Sequence, residues 1–287
     1  MDVNNEYYSN PFRMAADGNL ERIKILFEEN PEQFKDVEIL NHAINEDHWE
    51  VTEFLVENGA PVNSSYPNGG PLLYAVCNGN LKMVKYLVDK GAIITTLALN
   101  AVFRAEKDYL EIIQYLVEKG ADVQGKDSNT LIKAACKGDL RVVKYLFEKG
   151  AYMLPRDNEA LIGAARNGHL EVVKYLVKKG ADIKVQDNQA LINAASYGRL
   201  KVVQYLVERG VDVTVRNNGA LIGAAENNRL EVVKYLVEKG ADVTAQYNEA
   251  LIKAAKNGHL KVVEYLAKKG ATVNGKAQDN QVLINVA

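Results

Sequence analysis

The sequence predicts an all-α solenoid of stacked helix–turn–helix units joined by short tips. Three observations predict it. The phrase "LEVVKYLVEKGADV" at 230–243 recurs as "LEVVKYLVKKGADI" at 170–183 and "LRVVKYLFEKGAYM" at 140–153. Gly120, Gly150, Gly180, Gly210, Gly240 and Gly270 stand thirty residues apart, as do Leu110, Leu140, Leu170, Leu200, Leu230 and Leu260. Within one copy, Leu170, Val173, Leu176 and Val177 fall at i, i+3, i+6 and i+7, a helical stripe. A fixed period of this length means one supersecondary unit stacked many times.

The unit at 158–183 justifies each element in turn. Asn158 is placed to cap a first helix, and Asn188, Asn218, Asn248 and Asn280 hold the same place, with Ser128 as a substitute. "ALIGAAR" is that helix, its alanines small enough for close approach. Asn167-Gly168 ends it, since glycine accepts a left-handed turn. "LEVVKYLVKK" is the second helix, with Glu171 and Lys174 paired on the wet side and Lys178 and Lys179 at its negative end. Gly180 stops it, and "ADI" runs out to the next tip. Two such helices cannot bury their apolar sides alone, so each copy needs the next. Seven of the 15 tyrosines (Tyr86, Tyr115, Tyr145, Tyr175, Tyr205, Tyr235, Tyr265) share one position of the second helix, which reads as a ladder of stacked rings.

Composition narrows the function. Lys+Arg 35 against Asp+Glu 37 leaves a net charge of −2, without the basic excess that a nucleic-acid binder shows. No apolar run approaches a membrane span, and "MDVNNEYYSNPF" is no secretion signal. Cys77 and Cys136 occupy equivalent places two repeats apart, roughly 20 Å at the spacing of packed helices. A disulfide needs Cα atoms within roughly 7 Å, so two free thiols and a reducing, intracellular compartment are expected.

The pattern "N-x-A-L-I-x-A-A-x-N-G-H-L-E-V-V-K-Y-L-V-E-K-G-A-D-V" resembles the ankyrin repeat. The residues that carry it are Ala164-Ala165, Asn167-Gly168-His169-Leu170, Val172-Val173 and Gly180-Ala181-Asp182. The resemblance implies an ankyrin-repeat α-solenoid. The usual period is 33, and the three missing residues fall between "ADV" and "N-x-A-L", which implies shortened hairpin tips. The T-P-L-H-x-A signature is mostly replaced: its Pro is Ala160, Ala190, Ala220 and Ala250, and its His is Ile162, Ile192, Ile222 and Ile252. The thirty-residue form looks most like ankyrin proteins of giant DNA viruses.

Nine repeats are expected, in an elongated stack of about nine steps of roughly 10 Å. Residues 1–34 read as an N-terminal capping repeat, 35–119 as irregular repeats two to four, 120–270 as regular repeats five to nine, and 271–287 as a partial C-terminal repeat. That last piece either caps the stack or marks a fragment.

No phosphate loop, nucleophile elbow, H-E-x-x-H or C-x-x-C motif occurs. His42 and His48 flank Asp47, but surface helix residues are the plain reading there, and His169 and His259 are three repeats apart. No enzyme, metal or cofactor is expected. The informative residues are those that break the repeat. In ankyrin-like stacks the tips and the exposed side of the first helices form a concave face that takes partners. Tyr74, Phe103, Tyr152, Arg156, Arg166, Tyr197, Arg216 and Tyr247 are the candidate contacts on that face, by residue type. For each, a solvated or half-packed surface residue is the alternative. Gly163 and Gly223 lie inside first helices at a cost of roughly 0.5–1 kcal/mol. A partner approaching there and a tolerated local weakness both remain open.

The expected function is a monomeric interaction module that binds a protein partner and no nucleic acid or membrane. The resemblance implies a viral or effector adaptor in a host cytoplasm. An F-box-like docking element behind the repeats is not expected. A structural scaffold or virion component is the second reading.

Overall fold

The computed structural model describes residues 10–64, 70–105, 109–124, 129–151 and 158–272. Among the described residues there are 18 α-helices and no strand. They run in pairs, a first and a second helix per repeat: α1 Pro11–Ala16 and α2 Leu20–Glu29; α3 Val37–Asn45 and α4 Trp49–Glu57; α5 Gly70–Cys77 and α6 Leu81–Asp89; α7 Thr96–Ala101 and α8 Tyr109–Glu118; α9 Thr130–Lys137 and α10 Leu140–Glu148; α11 Asn158–Asn167 and α12 Leu170–Lys178; α13 Val185–Ser196 and α14 Leu200–Glu208; α15 Val215–Glu226 and α16 Leu230–Glu238; α17 Ala245–Lys256 and α18 Leu260–Lys268. The chain divides into two compact units, residues 1–130 with 148–151, and residues 131–147 with 152–287.

In the first unit α1, α3 and α7 begin on side-chain caps. Asn10 accepts the backbone N–H of Phe12 at 3.0 Å, Asp36 that of Glu38 at 2.9 Å, and Thr95 that of Ala98 at 3.2 Å. Asn30-Pro31 breaks the usual Gly-Ala end. Pro31 opens a 3₁₀ turn that folds buried Phe34 back onto Phe27, with ring centroids 5.7 Å apart. This closes the apolar end of the first repeat with aromatic packing.

In the second unit the repeats are regular. Ala164, Ala165 and Leu161 of α11 are fully buried, as are Val173 and Leu176 of α12, with Val172 nearly so. The buried stripe of the second helix therefore centres on 172, 173 and 176. Leu170 and Val177, expected in the core, are only half-buried. The helix packs against its own first helix and against stacked neighbours, and that wider contact shifts the buried face. Gly180 adopts φ +98°, its N–H reaches the Val177 carbonyl at 3.0 Å, and the Ala181 N–H reaches Leu176 at 3.0 Å. These paired bonds form a Schellman end, which needs the left-handed residue that glycine supplies. The pair read on the wet side is present: Lys174 Nζ lies 2.8 Å from Glu171 Oε1.

The asparagine column departs from expectation. Asn188, Asn218 and Asn248 do not cap their own helices. Each is buried and ends a left-handed turn of three residues, for example Arg216 (φ 49°), Asn217 (φ 52°) and Asn218 (φ 66°). Left-handed backbone costs about 1–2 kcal/mol per L-residue, least for Asn. The side chain offsets that cost by bonding the next tip. Asn218 Oδ1 accepts the Asp242 N–H at 2.8 Å, Asn248 Oδ1 accepts that of Thr272 at 3.1 Å, and Asn188 Nδ2 donates to the Asp212 carbonyl at 3.3 Å. Asn158 is also buried, while Ser128 and Asn280 lie outside the described residues.

The tyrosine column departs too. Ring contacts join Tyr86 to Trp49 and Tyr175 to Phe147, not tyrosine to tyrosine among the described residues. Six of the rings instead meet the cation four residues on, as with Lys239 Nζ 5.6 Å from the Tyr235 centroid and Arg209 Cζ 5.1 Å from Tyr205. Where neighbouring second helices bring rings together, the pairs are edge-on, Tyr86 with Trp49 at 5.2 Å and Tyr175 with Phe147 at 5.7 Å.

Candidate interaction surface

The scaffold consumes several polar columns before any are left for a ligand. Where a histidine or arginine precedes a second helix, its side chain reaches back to the previous repeat. His169 Nε2 lies 2.9 Å from the Cys136 carbonyl and His259 Nε2 lies 2.9 Å from that of Glu226, while Arg199 Nε donates to Arg166 at 3.0 Å. The asparagine before the loop glycine does the same. Asn167 Nδ2 donates to Cys136 at 2.8 Å and Asn257 Nδ2 donates to Glu226 at 2.8 Å. These side chains satisfy carbonyls at helix ends that lack an intrahelical partner.

Gly163 and Gly223 belong to the same scaffold. A Cβ on Gly163 would lie 2.3 Å from Cys136 Sγ, and one on Gly223 would lie 2.2 Å from Ser196 Oγ. The missing side chain makes room for the preceding repeat, so no partner is needed to explain it. In the same column Lys253 meets Glu226 at 3.0 Å, and that bond holds its ammonium pKa above the ordinary lysine value. Burial pushes the Cys136 thiol up, with the Arg166 charge pulling partly the other way.

The remaining candidates separate clearly. Arg166 and Tyr197 come together, the guanidinium carbon 4.6 Å from the ring centroid, and the ring is 41% exposed. Arg216 is exposed but held across to the preceding tip. Its Nε and Nη2 each lie 3.3 Å from Asp187 Oδ2, and its Nη1 lies 2.9 Å from Gln189 Oε1. Tyr247 stands in the left-handed turn of its tip and is 84% exposed. Tyr74 is on α5, 36% exposed, beside α3. Phe103 is not a surface residue. It is 8% exposed in the 3₁₀ turn Val102–Arg104, 5.8 Å from the Tyr109 ring, because that tighter winding turns it into the core. Tyr152 and Arg156 lie outside the described residues.

A family model described as ankyrin repeats, in three copies, matches residues 12–98, 131–217 and 216–277. The chain belongs to the ankyrin-repeat family. No curated protein matches it. Ankyrin repeats are generally protein–protein interaction modules, which points this ankyrin-repeat chain toward a protein partner. Among the described residues no helix is long and apolar enough to cross a membrane.

One residue was missed by the sequence reading. Asn41 of α3 is buried at the place held by Ile162, Ile192, Ile222 and Ile252 in later ankyrin repeats, eight residues before the second helix. The break in that apolar column was the available signal.

Proposed function

We infer that this ankyrin-repeat chain is a non-catalytic module that holds one protein partner on the exposed side of its first helices and on its tips. The observation that carries the reading is Tyr197. At its position Asn78, Asn167 and Asn257 each clamp a carbonyl of the preceding repeat. Tyr197 gives up that bond and presents a half-exposed ring under Arg166. A stack optimised only for itself has no use for that exchange, whereas tyrosine and arginine supply much of the energy at protein interfaces. Tyr74 and Tyr247 extend the same exposed set.

The thirty-residue period supports a finer placement among viral or effector adaptors that bind a host protein through the concave face, as a monomer inside the cell. The free thiols of Cys77 and Cys136 fit a reducing compartment. Affinity capture with mass spectrometry tests the reading, with Arg166→Ala/Tyr197→Ala as the control bait. One stoichiometric partner, lost on the double substitution, is the expected result. Self-assembly alone, with nothing else retained, would overturn it in favour of a structural scaffold.

A further inference from the structure

We propose that the cavity between α3 and α5 seats an arginine side chain of the protein partner. The proposal rests on the interaction-module reading and supplies the partner's chemistry. The cavity encloses about 200 Å³ and is lined by Glu38, Asn41, His42 and Asn45 of α3 and by Tyr74 of α5. The α3 residues fall at i, i+3, i+4 and i+7, one face of the helix.

Asn41 sets the requirement. It is 5% exposed, and its Oδ1 is buried without a hydrogen-bond partner. Buried acceptors in folded proteins are almost always satisfied, so an orphan one needs an account. Later repeats fill this place with isoleucine, which asks for nothing. The array therefore had an apolar solution here and carries a polar one, on a residue that lines the cavity.

Three features of the wall specify the occupant. Asn41 Oδ1 needs a donor, Glu38 sets a carboxylate at the exposed rim, and Tyr74 offers a half-exposed ring. Neighbouring contacts hold the wall in place. The His42 ring stands edge-on to Phe12 at 6.0 Å, and Asn78 Nδ2 ties the Ile44 and Asn45 carbonyls at 2.9 and 2.8 Å. A guanidinium has several donors, a delocalised charge and a flat face, and so meets all three demands. A lysine ammonium lacks the flat face, and a neutral amide leaves Glu38 without a countercharge. The chain already handles guanidinium this way elsewhere. Arg216 is held by a carboxylate and an amide oxygen, Asp187 and Gln189, and Arg166 lies over the Tyr197 ring.

The test is a nuclear magnetic resonance titration of the full chain with acetyl-Gly-Arg-Gly-amide. Saturating shifts are expected on the Asn41 side-chain amide and the Tyr74 ring. The citrulline tripeptide should bind about tenfold more weakly and the lysine tripeptide about threefold more weakly. Asn41→Ile restores the residue of the later repeats, so it should keep the fold, checked by its melting curve, and weaken arginine binding about tenfold. Glu38→Gln, on an exposed side chain, gives a second variant that should also weaken it. Equal binding of arginine and citrulline, undiminished binding to Asn41→Ile, or shifts confined to other residues would overturn the proposal. A captured partner that survives Asn41→Ile and Glu38→Gln but is lost with Arg166→Ala/Tyr197→Ala would sink the arginine seat and leave the module reading standing. Self-assembly alone in the capture experiment would sink that reading itself.

Discussion

His169 and Cys136 are joined across two repeats, the imidazole Nε2 2.9 Å from the backbone carbonyl oxygen. The ring lies over Gly138, where a Cβ would come within 2.3 Å of Nδ1. Arg199 repeats the arrangement one step on, bonded to the Arg166 carbonyl and lying over Gly168. His169→Ala removes the bond and should cost about 1 kcal/mol. His169→Arg should be near neutral, because arginine already fills this role at 199. Urea midpoints of the two variants check the pair. An alanine variant as stable as the parent would show that the bond contributes nothing.

Asn218 should be less replaceable. It supplies both a left-handed backbone (φ 66°) and an acceptor for the Asp242 N–H at 2.8 Å. Asn218→Ala loses both and should cost about 2–4 kcal/mol. Asn218→Gly should recover the backbone part alone and fall between alanine and the parent. If it matches alanine, the left-handed turn is not the source of the cost. Thermal unfolding of the three proteins orders them.

Gly163 and Cys136 should be coupled. Alanine normally gains about 0.5–1 kcal/mol over glycine inside a helix. Here its Cβ would sit 2.3 Å from Cys136 Sγ, so Gly163→Ala should lower stability by about 1 kcal/mol. In a Cys136→Ala background the same change should raise it. A double-mutant cycle reads the coupling directly, and additive effects would contradict the contact.

Acid should weaken the tips. The Asp212 carboxylate accepts the Thr214 N–H at 2.8 Å and its hydroxyl at 2.8 Å, which holds its pKa below the usual carboxylate range. The Thr244 hydroxyl at 2.7 Å and N–H at 2.8 Å do the same for Asp242. With folded pKa values below the unfolded value of about 3.9, the stabilisation is complete above that pH. It is lost as pH falls through the folded pKa values. Melting temperature should therefore hold near neutrality and drop below about pH 4. Asp212→Asn/Asp242→Asn should show a shallower drop, measured by scanning calorimetry across pH 2.5–7.

The period, the helix pairs and the glycine-ended second helices were legible in the chain, because they depend on residues within a turn or two of one another. Gly180 and the Glu171–Lys174 pair are where local reasoning puts them. The partners thirty residues away were not legible. An asparagine before a helix reads alike whether it caps that helix or clamps the next tip, and Asn218 clamps. Gly163 reads as local weakness until Cys136 is placed against it. Phe103 has the composition of an interface residue and the burial of a core one.

By itself, then, the sequence determined that this is a repeating stack of helix pairs, since short-range spacing alone dictates where each helix starts, stops and turns its apolar side. Only the tertiary structure decided which polar residues the stack uses for itself and which, like Tyr197 and Asn41, it leaves over. That division depends on side-chain distances between consecutive repeats, which no pattern within one repeat contains.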